Sequence, residues 1–299
     1  MQFKNLRILR FVPATFPETE ALEDLLAKRG LEPLNAMERE RHGFVPAGPD
    51  GTLVHARESY RLLALGGEKK LLPSSVVRQT TDQRAARIEQ QQGRAPGKRQ
   101  MRELREQVEI ELLSRAFTVR SSTRSWFDLD SGFLLLDSGS TKFEETFFEV
   151  WHQTVTAVEL QRLDTEKSPL SAMTHWVASG EAPEGFSIDQ EAELRSAAEG
   201  QATVKYLRHT LDGAEVRRHI SNGKQCTRLA MTWRDRISFV LCEDMSVKRL
   251  QWVDQESDGN GSDVPDEDRF DVDFSLSSGD LAGLCKDLVE VLDGYAQGN

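Results

Sequence analysis

The sequence predicts an α+β fold in which a helical hairpin interrupts strand-rich segments. Three observations carry that expectation. Residues 3–11 alternate loosely between apolar and basic side chains, the period of a strand. Met101, Leu104, Val108 and Leu112 recur at three- and four-residue spacing, the stripe of an amphipathic helix. Short apolar runs after residue 200 are separated by turn residues, as in an antiparallel sheet.

Taken in order, Pro13 and Pro17 end the first strand, and Ala21, Leu22, Leu25 and Leu26 line a helix over residues 18–28, closed by Gly30. Residues 43–51 are rich in turn formers, and residues 53–65 read as one or two strands ended by Gly66-Gly67. Pro73-Ser74-Ser75 starts a helix running to residue 92. Gly93-Arg94-Ala95-Pro96-Gly97 then breaks the chain before a second helix over residues 98–113. Arg99, Arg102 and Arg105 lie off the apolar stripe of that helix, which gives the hairpin a basic outer side. The runs 126–129 and 133–136 flank Asp130-Ser131-Gly132, a hairpin turn. Residues 144–152 read as helix, 157–163 as extended chain, 170–178 as a short helix and 180–185 as a loop. Strands are expected over 203–207, 226–232, 237–241 and 247–253, with a helix over 215–221 ended by Asn222-Gly223. An acidic loop over 255–269, a strand over 269–276 and an amphipathic helix over 280–295 follow.

With 299 residues, 38% hydrophobic and 29% charged, and a mean hydropathy of -0.51, the chain suits about two globular domains with a polar surface. Basic residues break up the apolar start, so it reads as a strand and not as a signal peptide. No apolar stretch is long enough for a membrane span. Cys226, Cys242 and Cys285 are scattered, which fits a reducing cytoplasm better than a disulfide framework.

The net charge of -11 argues at first against nucleic acid, but the charges are segregated. Residues 68–124 carry 13 Lys/Arg against 7 Asp/Glu, and residues 205–249 carry 10 against 5. Residues 254–299 reverse this, with 2 against 13. A lone charge run is usually a solvated face. Two like-signed tracts, one helical and one on a sheet, are able to line a common surface that neutralises phosphates without reading bases. Lys69, Arg84, Arg87, Arg94, Lys98, Arg99, Arg102, Arg208, Lys224 and Lys248 are the candidate contacts. No helix-turn-helix, zinc-finger or RNA-binding motif accompanies them. The five tryptophans are more simply packing residues than base-stacking platforms.

Other chemistries have weaker footing. Gly66-Gly67-Glu68-Lys69-Lys70 lacks the spacing of a phosphate loop, and the cysteines and histidines show no zinc pattern. Asp271 and Asp273 alternate on the expected strand and form the rival site, a metal-dependent nuclease holding Mg²⁺. A second rival is a protein-interaction module that uses the acidic C-terminal part and does not touch DNA.

Six ordered blocks resemble the RdgC family of recombination-associated proteins over nearly the whole chain. They are Phe3-Lys4-Asn5-Leu6; Glu68-Lys69-Lys70-Leu71-Leu72-Pro73 with Val76-Val77; Leu112-Leu113-Ser114-Arg115-Ala116-Phe117; Gly223-Lys224 with Thr227-Arg228-Leu229-Ala230; Arg236-Ile237-Ser238-Phe239-Val240 running to Val247-Lys248-Arg249-Leu250; and Arg269-Phe270-Asp271-Val272-Asp273-Phe274. The resemblance implies an α+β protomer: a central part over residues 1–67 and 118–165, a helical tip over 68–117 and a β-rich base over 166–299. It implies a homodimeric ring around double-stranded DNA that restrains the RecA recombinase, nucleoid-associated in the cytoplasm, with no catalysis, cofactor or metal. Phe117 matches the family's aromatic at the tip contact, and Arg208, His209 and Lys224 fall where the family faces DNA. The chain departs from the family at Ser114 (usually proline), at Arg208-His209 (usually Lys-Gln), at Phe143 (often lysine) and in the turn with Gly93, Pro96 and Gly97.

Overall fold

The computed structural model describes residues 3–196, 202–211, 213–253 and 266–296. The first half of the chain forms β1 (Asn5–Phe11), α1 (Thr19–Ala27), β2 (Glu40–Val45), β3 (Val54–Arg57), β4 (Tyr60–Lys70), α2 (Ser74–Gln92), α3 (Lys98–Arg115), β5 (Thr118–Asp128), β6 (Phe133–Leu136) and α4 (Thr141–Thr154). The second half forms β7 (Leu160–Arg162), α5 (Pro169–Ser179), β8 (Phe186–Ser196), β9 (Thr203–Leu207), α6 (Ala214–Ser221), β10 (Lys224–Trp233), β11 (Ile237–Cys242), β12 (Val247–Trp252) and α7 (Asp266–Val291). This is the mixed α+β class, with seven helices and twelve strands among the described residues.

The strands form one antiparallel sheet in the order β2-β4-β5-β6-β1-β12-β11-β10-β8-β9, with β3 also on β4 and β7 on β1. β1 is the joint between its halves. It pairs Ile8 with Leu135 of β6 on one side and Leu6 with Val247 of β12 on the other.

Side chains alternate between the two faces of a strand, so the core divides in two. Leu6, Ile8, Trp126, Leu135, Leu194, Leu229 and Leu241 face one way and pack with Met173 of α5, Val216 of α6 and Phe274 and Leu284 of α7. Leu9, Leu63, Phe127 and Leu134 face the other way, under Leu22 and Leu26 of α1 and Phe147 and Trp151 of α4. No residue of β8 to β12 belongs to that second core. Among the described residues no helix covers their outer face, where Ala230, Val240 and Cys242 make a small buried cluster.

The tryptophans are packing residues, as expected. Trp126, Trp151, Trp176 and Trp233 are buried, and three indole N–H groups clamp α7. Trp126 donates to Ser278 at 2.9 Å, Trp233 to Asp287 at 2.8 Å and Trp252 to Asp280 at 3.1 Å. A charged junction also holds the halves together. Glu144 of α4 is 1% exposed and binds Arg7 of β1 at 2.5 Å and Arg162 of β7 at 2.6 Å. Arg7 continues to Asp244, in the turn between β11 and β12, at 2.6 Å.

Four expectations are corrected. Residues 269–276 are not a strand but the first turns of α7, because Phe274, Leu281, Leu284, Cys285 and Leu288 form one buried helical face. The acidic loop expected over 255–269 lies outside the described residues up to 265, and 266–269 are already helical. β4 does not end at Gly66-Gly67 but runs to Lys70. A Cβ on Gly66 would sit 2.6 Å from Val45 Cγ1, so this glycine serves close packing and not a turn. β2 occupies part of the turn-rich stretch for the same reason, since a Cβ on Gly43 would meet the Leu31 backbone at 2.6 Å. β8 had no expectation at all, because Gln190 interrupts the apolar side of its alternation and Ala192 is small.

Candidate nucleic-acid interface

The hairpin α2–α3 grows from the end of the long β4–β5 pair, where Lys70 faces Thr118 across the ladder. Pro73 precedes α2 in extended conformation, and Gly93 ends it in the left-handed region at φ 71°, where a glycine carries no Cβ penalty. The Gln100 side chain then accepts a 3.4 Å hydrogen bond from the Gly97 N–H at the start of α3. Val77, Thr81, Val108 and Leu113 are the buried residues of the two helices, so most of the hairpin surface faces solvent.

Residues 74–115 hold nine cations (Arg78, Arg84, Arg87, Arg94, Lys98, Arg99, Arg102, Arg105 and Arg115) and six carboxylates (Asp82, Glu89, Glu103, Glu106, Glu109 and Glu111). Arg84 binds Glu111 at 2.6 Å, Arg99 binds Glu103 at 2.9 Å and Arg102 binds Glu106 at 3.0 Å. The Arg84 hydrogen bond and charge hold the Glu111 carboxyl below its ordinary pKa. Glu109 is taken by Arg39, from the loop before β2. Arg78, Arg87, Arg94, Lys98, Arg105 and Arg115 are exposed and have no ion-pair partner among the described residues. Three candidates from the sequence are thus free cations (Arg87, Arg94, Lys98) and three are paired, Arg99 and Arg102 in exposed pairs and Arg84 in a half-buried one. Arg78, Arg105 and Arg115 were not among the candidates. Arg105 is free because its helical i+4 neighbour, Glu109, is claimed by Arg39 from outside the hairpin.

The two basic tracts meet on one sheet face through few residues. Lys69 alternates with Leu63 and Leu65, which places it on the side of α1 and α4. Lys248 is opposite Val240 and so shares that side, on the open face of the far half. Lys142, at the start of α4, joins Lys69 by sharing Glu40 with it, at 3.9 and 4.0 Å. Lys224 does not share that face. It is opposite Ser196, two residues beyond the buried Leu194, and therefore points to the side covered by α5 to α7; its Nζ donates to the Ala202 carbonyl at 3.2 Å. Arg208 is exposed just beyond the sheet's edge strand β9, with φ 54°. His209 is anchored there by its N–H to the Gln190 carbonyl at 3.2 Å and lies 5.6 Å from the Tyr206 ring. Phe143 packs against the α1–α4 core instead of facing solvent.

Phe117 is 84% exposed, at the junction of hairpin and sheet. Its carbonyl accepts from the Leu71 N–H at 2.8 Å, and Leu71 and Val119 are exposed beside it.

The carboxylates of the rival nuclease site are not arranged as expected. Asp271 and Asp273 are two positions apart on a helix, which turns them to different sides. Asp271 is engaged by Arg57 and lies 3.0 Å from His55 Nε2. Burial holds His55 below its ordinary pKa, against the pull of Asp50. Among the described residues no group of three or more His, Cys, Asp or Glu is placed to hold a metal. The three cysteines are buried, and burial pushes the Cys226 thiol up to about 12.

A family model described as "Putative exonuclease, RdgC" matches residues 1–295. A recombination-associated protein RdgC of Cupriavidus pinatubonensis is 46% identical over 98% of this chain and 99% of its own length. Its namesake in Cupriavidus necator is 44% identical over the same shares, and that of a Janthinobacterium species is 43% identical over 99% of each chain. No helix among the described residues is long and apolar enough to cross a membrane.

Proposed function

The chain belongs to the RdgC family, and from that premise we propose that it binds double-stranded DNA through the phosphate backbone without reading sequence. The observation that carries this reading is the surplus of unpaired cations on α2–α3, in a protein whose net charge is -11. A hairpin that displays Arg78, Arg87, Lys98, Arg105 and Arg115 on its helices and Arg94 in the turn between them, all exposed, offers charge to a regular polyanion and no array of base-reading groups. Lys69, Lys142 and Lys248 extend the same chemistry along one sheet face.

The assembly in this reading is a homodimer closed around the duplex. Residues 68–117 form its tip, residues 1–67 and 118–165 its central part and residues 166–299 its base. The bare Phe117 ring with Leu71 and Val119 supports a contact at the tip between two copies, since an exposed aromatic with apolar neighbours is the usual anchor of a small interface. Occupying duplex DNA in this way would restrain the RecA recombinase by competition for the same substrate, which places the protein on the nucleoid. The family's description names an exonuclease, an activity that needs a DNA end. An end-labelled linear duplex incubated with Mg²⁺ and protein tests it and is expected to keep its label; closed circular DNA tests the clamp against an internal nuclease. Closed circular DNA is incubated with Mg²⁺ and protein, then washed at moderate salt. Wild type is expected to stay on the circle and leave it supercoiled. Phe117→Ala is expected to remain folded and to slip off, because truncating such an anchor costs about 2 kcal/mol or more of interface free energy. Nicked circles, or equal retention of the variant, would contradict the clamp.

A further inference from the structure

We propose that the open face of β8 to β12 is a second phosphate-binding surface, made by Arg195, Lys205, Arg228 and Arg249 and held closed by Glu191, Glu193 and Glu243 until the DNA backbone displaces them. This surface rests on the duplex-binding reading and adds to it four cations that are not among the candidate contacts named from the sequence.

The alternation of β8 fixes the geometry. Ala192 and Leu194 enter the large core, so Glu191, Glu193 and Arg195 point to the open face. Glu193 is directly opposite Lys205 on β9 and Arg228 on β10. Its carboxylate lies 3.1 Å from Lys205 Nζ and 3.8 Å from the Arg228 guanidinium, and the Thr227 hydroxyl donates to it at 3.4 Å. Arg195 pairs with Glu243, beyond the end of β11. Arg249 reaches from β12 across β11 and β10 to Glu191 on β8, at 2.5 Å. Ala230, Val240 and Cys242 are buried on this face although no helix among the described residues covers it. Arg228 is directly opposite Cys242 in the ladder, so its stem is placed beside this cluster.

Four guanidinium and ammonium groups are therefore already ordered in one layer, tied by only three carboxylates. The cations keep 34% to 61% of their side-chain surface exposed, whereas Glu193 keeps 17%. An approaching phosphate reaches the cations first. Swapping carboxylate for phosphate conserves every cation's charge partner and releases the counterions condensed on DNA, so the exchange is driven by the polyanion. The group that suffers is Glu193, left half-buried without its cations and beside a phosphate.

Proton uptake is coupled to this exchange. In the free protein burial pushes the Glu193 carboxyl up, but the Lys205 hydrogen bond and the charges of Arg228 and Lys205 outweigh it and hold the pKa below its ordinary value. When both cations turn to DNA, the contributions of Lys205 and Arg228 go, while burial and the weaker Thr227 hydrogen bond remain, so the pKa rises and a proton is taken up on binding. A group that gains affinity for protons in the complex makes the complex stronger as pH falls. The other ionisable groups on the face among the described residues are Glu191 with Arg249, Glu243 with Arg195, Asp244 with Arg7, Asp189 accepting from the Thr232 hydroxyl, Lys248, and Cys242, whose thiol burial pushes up.

The test is fluorescence anisotropy of a labelled random-sequence duplex, titrated with wild type and with Glu193→Gln at constant ionic strength from mildly alkaline to mildly acidic pH. Wild type is expected to bind more tightly as pH falls. Glu193→Gln is expected to bind about two- to fivefold more tightly at neutral pH, the scale of one partly exposed ion pair, and to lose most of the pH dependence. Glu243→Gln, on a separate pair, gives the same neutral-pH gain should Glu193→Gln fail to fold. Unchanged or weaker binding by the glutamine variants, with wild-type duplex binding intact, overturns the exchange surface alone. Absence of wild-type binding at every pH overturns the duplex reading beneath it.

Discussion

Replacing Arg87, Arg94, Lys98 and Arg105 together with glutamine is expected to weaken duplex binding roughly a hundredfold or more at moderate salt. Removing each phosphate-binding side chain also lowers the slope of log affinity against log salt by about 0.9. The weakening is expected to be equal on every sequence, because these side chains offer charge to the backbone and nothing to base edges. All four are exposed and unpaired on the hairpin, so each substitution is expected to change stability by no more than about 0.5 kcal/mol. Anisotropy titrations on duplexes of differing sequence measure affinity and slope together. Wild-type affinity in the quadruple variant would mean that the hairpin does not touch the DNA.

The second large effect is on stability. Glu144→Ala is expected to cost about 3 kcal/mol or more, read as a lower urea midpoint with an unchanged slope. The carboxylate is 1% exposed and carries Arg7 and Arg162 at once, and Arg7 is itself only 8% exposed. Removing it strands a buried guanidinium whose remaining partner, Asp244, lies on the other half of the sheet. The Arg7 charge helps hold the Asp244 carboxyl below its ordinary pKa, against burial and together with hydrogen bonds from Ser246. A loss under about 1 kcal/mol would show that this junction contributes no more than a surface pair.

The parts of the molecule that were legible in the sequence are those set by local signals. The Gly93–Gly97 break and the Met101-Leu104-Val108-Leu112 stripe fix the hairpin without outside help. The α7 segment was not legible, because Phe270-Asp271-Val272-Asp273-Phe274 satisfies a strand period, while its helical register shows only when Leu281, Leu284 and Leu288 are read with it. Among the site residues the difficulty is non-local pairing. Arg105 and Arg102 look alike in sequence, yet Arg102 keeps Glu106 while Glu109 goes to Arg39, far away along the chain. Lys224 and Lys248 both sit on strands, and their placement on opposite faces depends on a register shift at Cys226/Arg228 and on where β12 meets β11. The pairing of the open-face cations was invisible for the same reason: Glu193 is remote from Arg228 in sequence and next to it in space.

The most direct measurement of phosphate-led binding is a salt series with wild-type protein on two duplexes of unrelated sequence. The expected result is a log affinity that falls linearly and steeply with log salt, with the same slope on both and affinities within about tenfold of each other. An affinity that is flat across the series, or a preference for one duplex well beyond about tenfold, would contradict it.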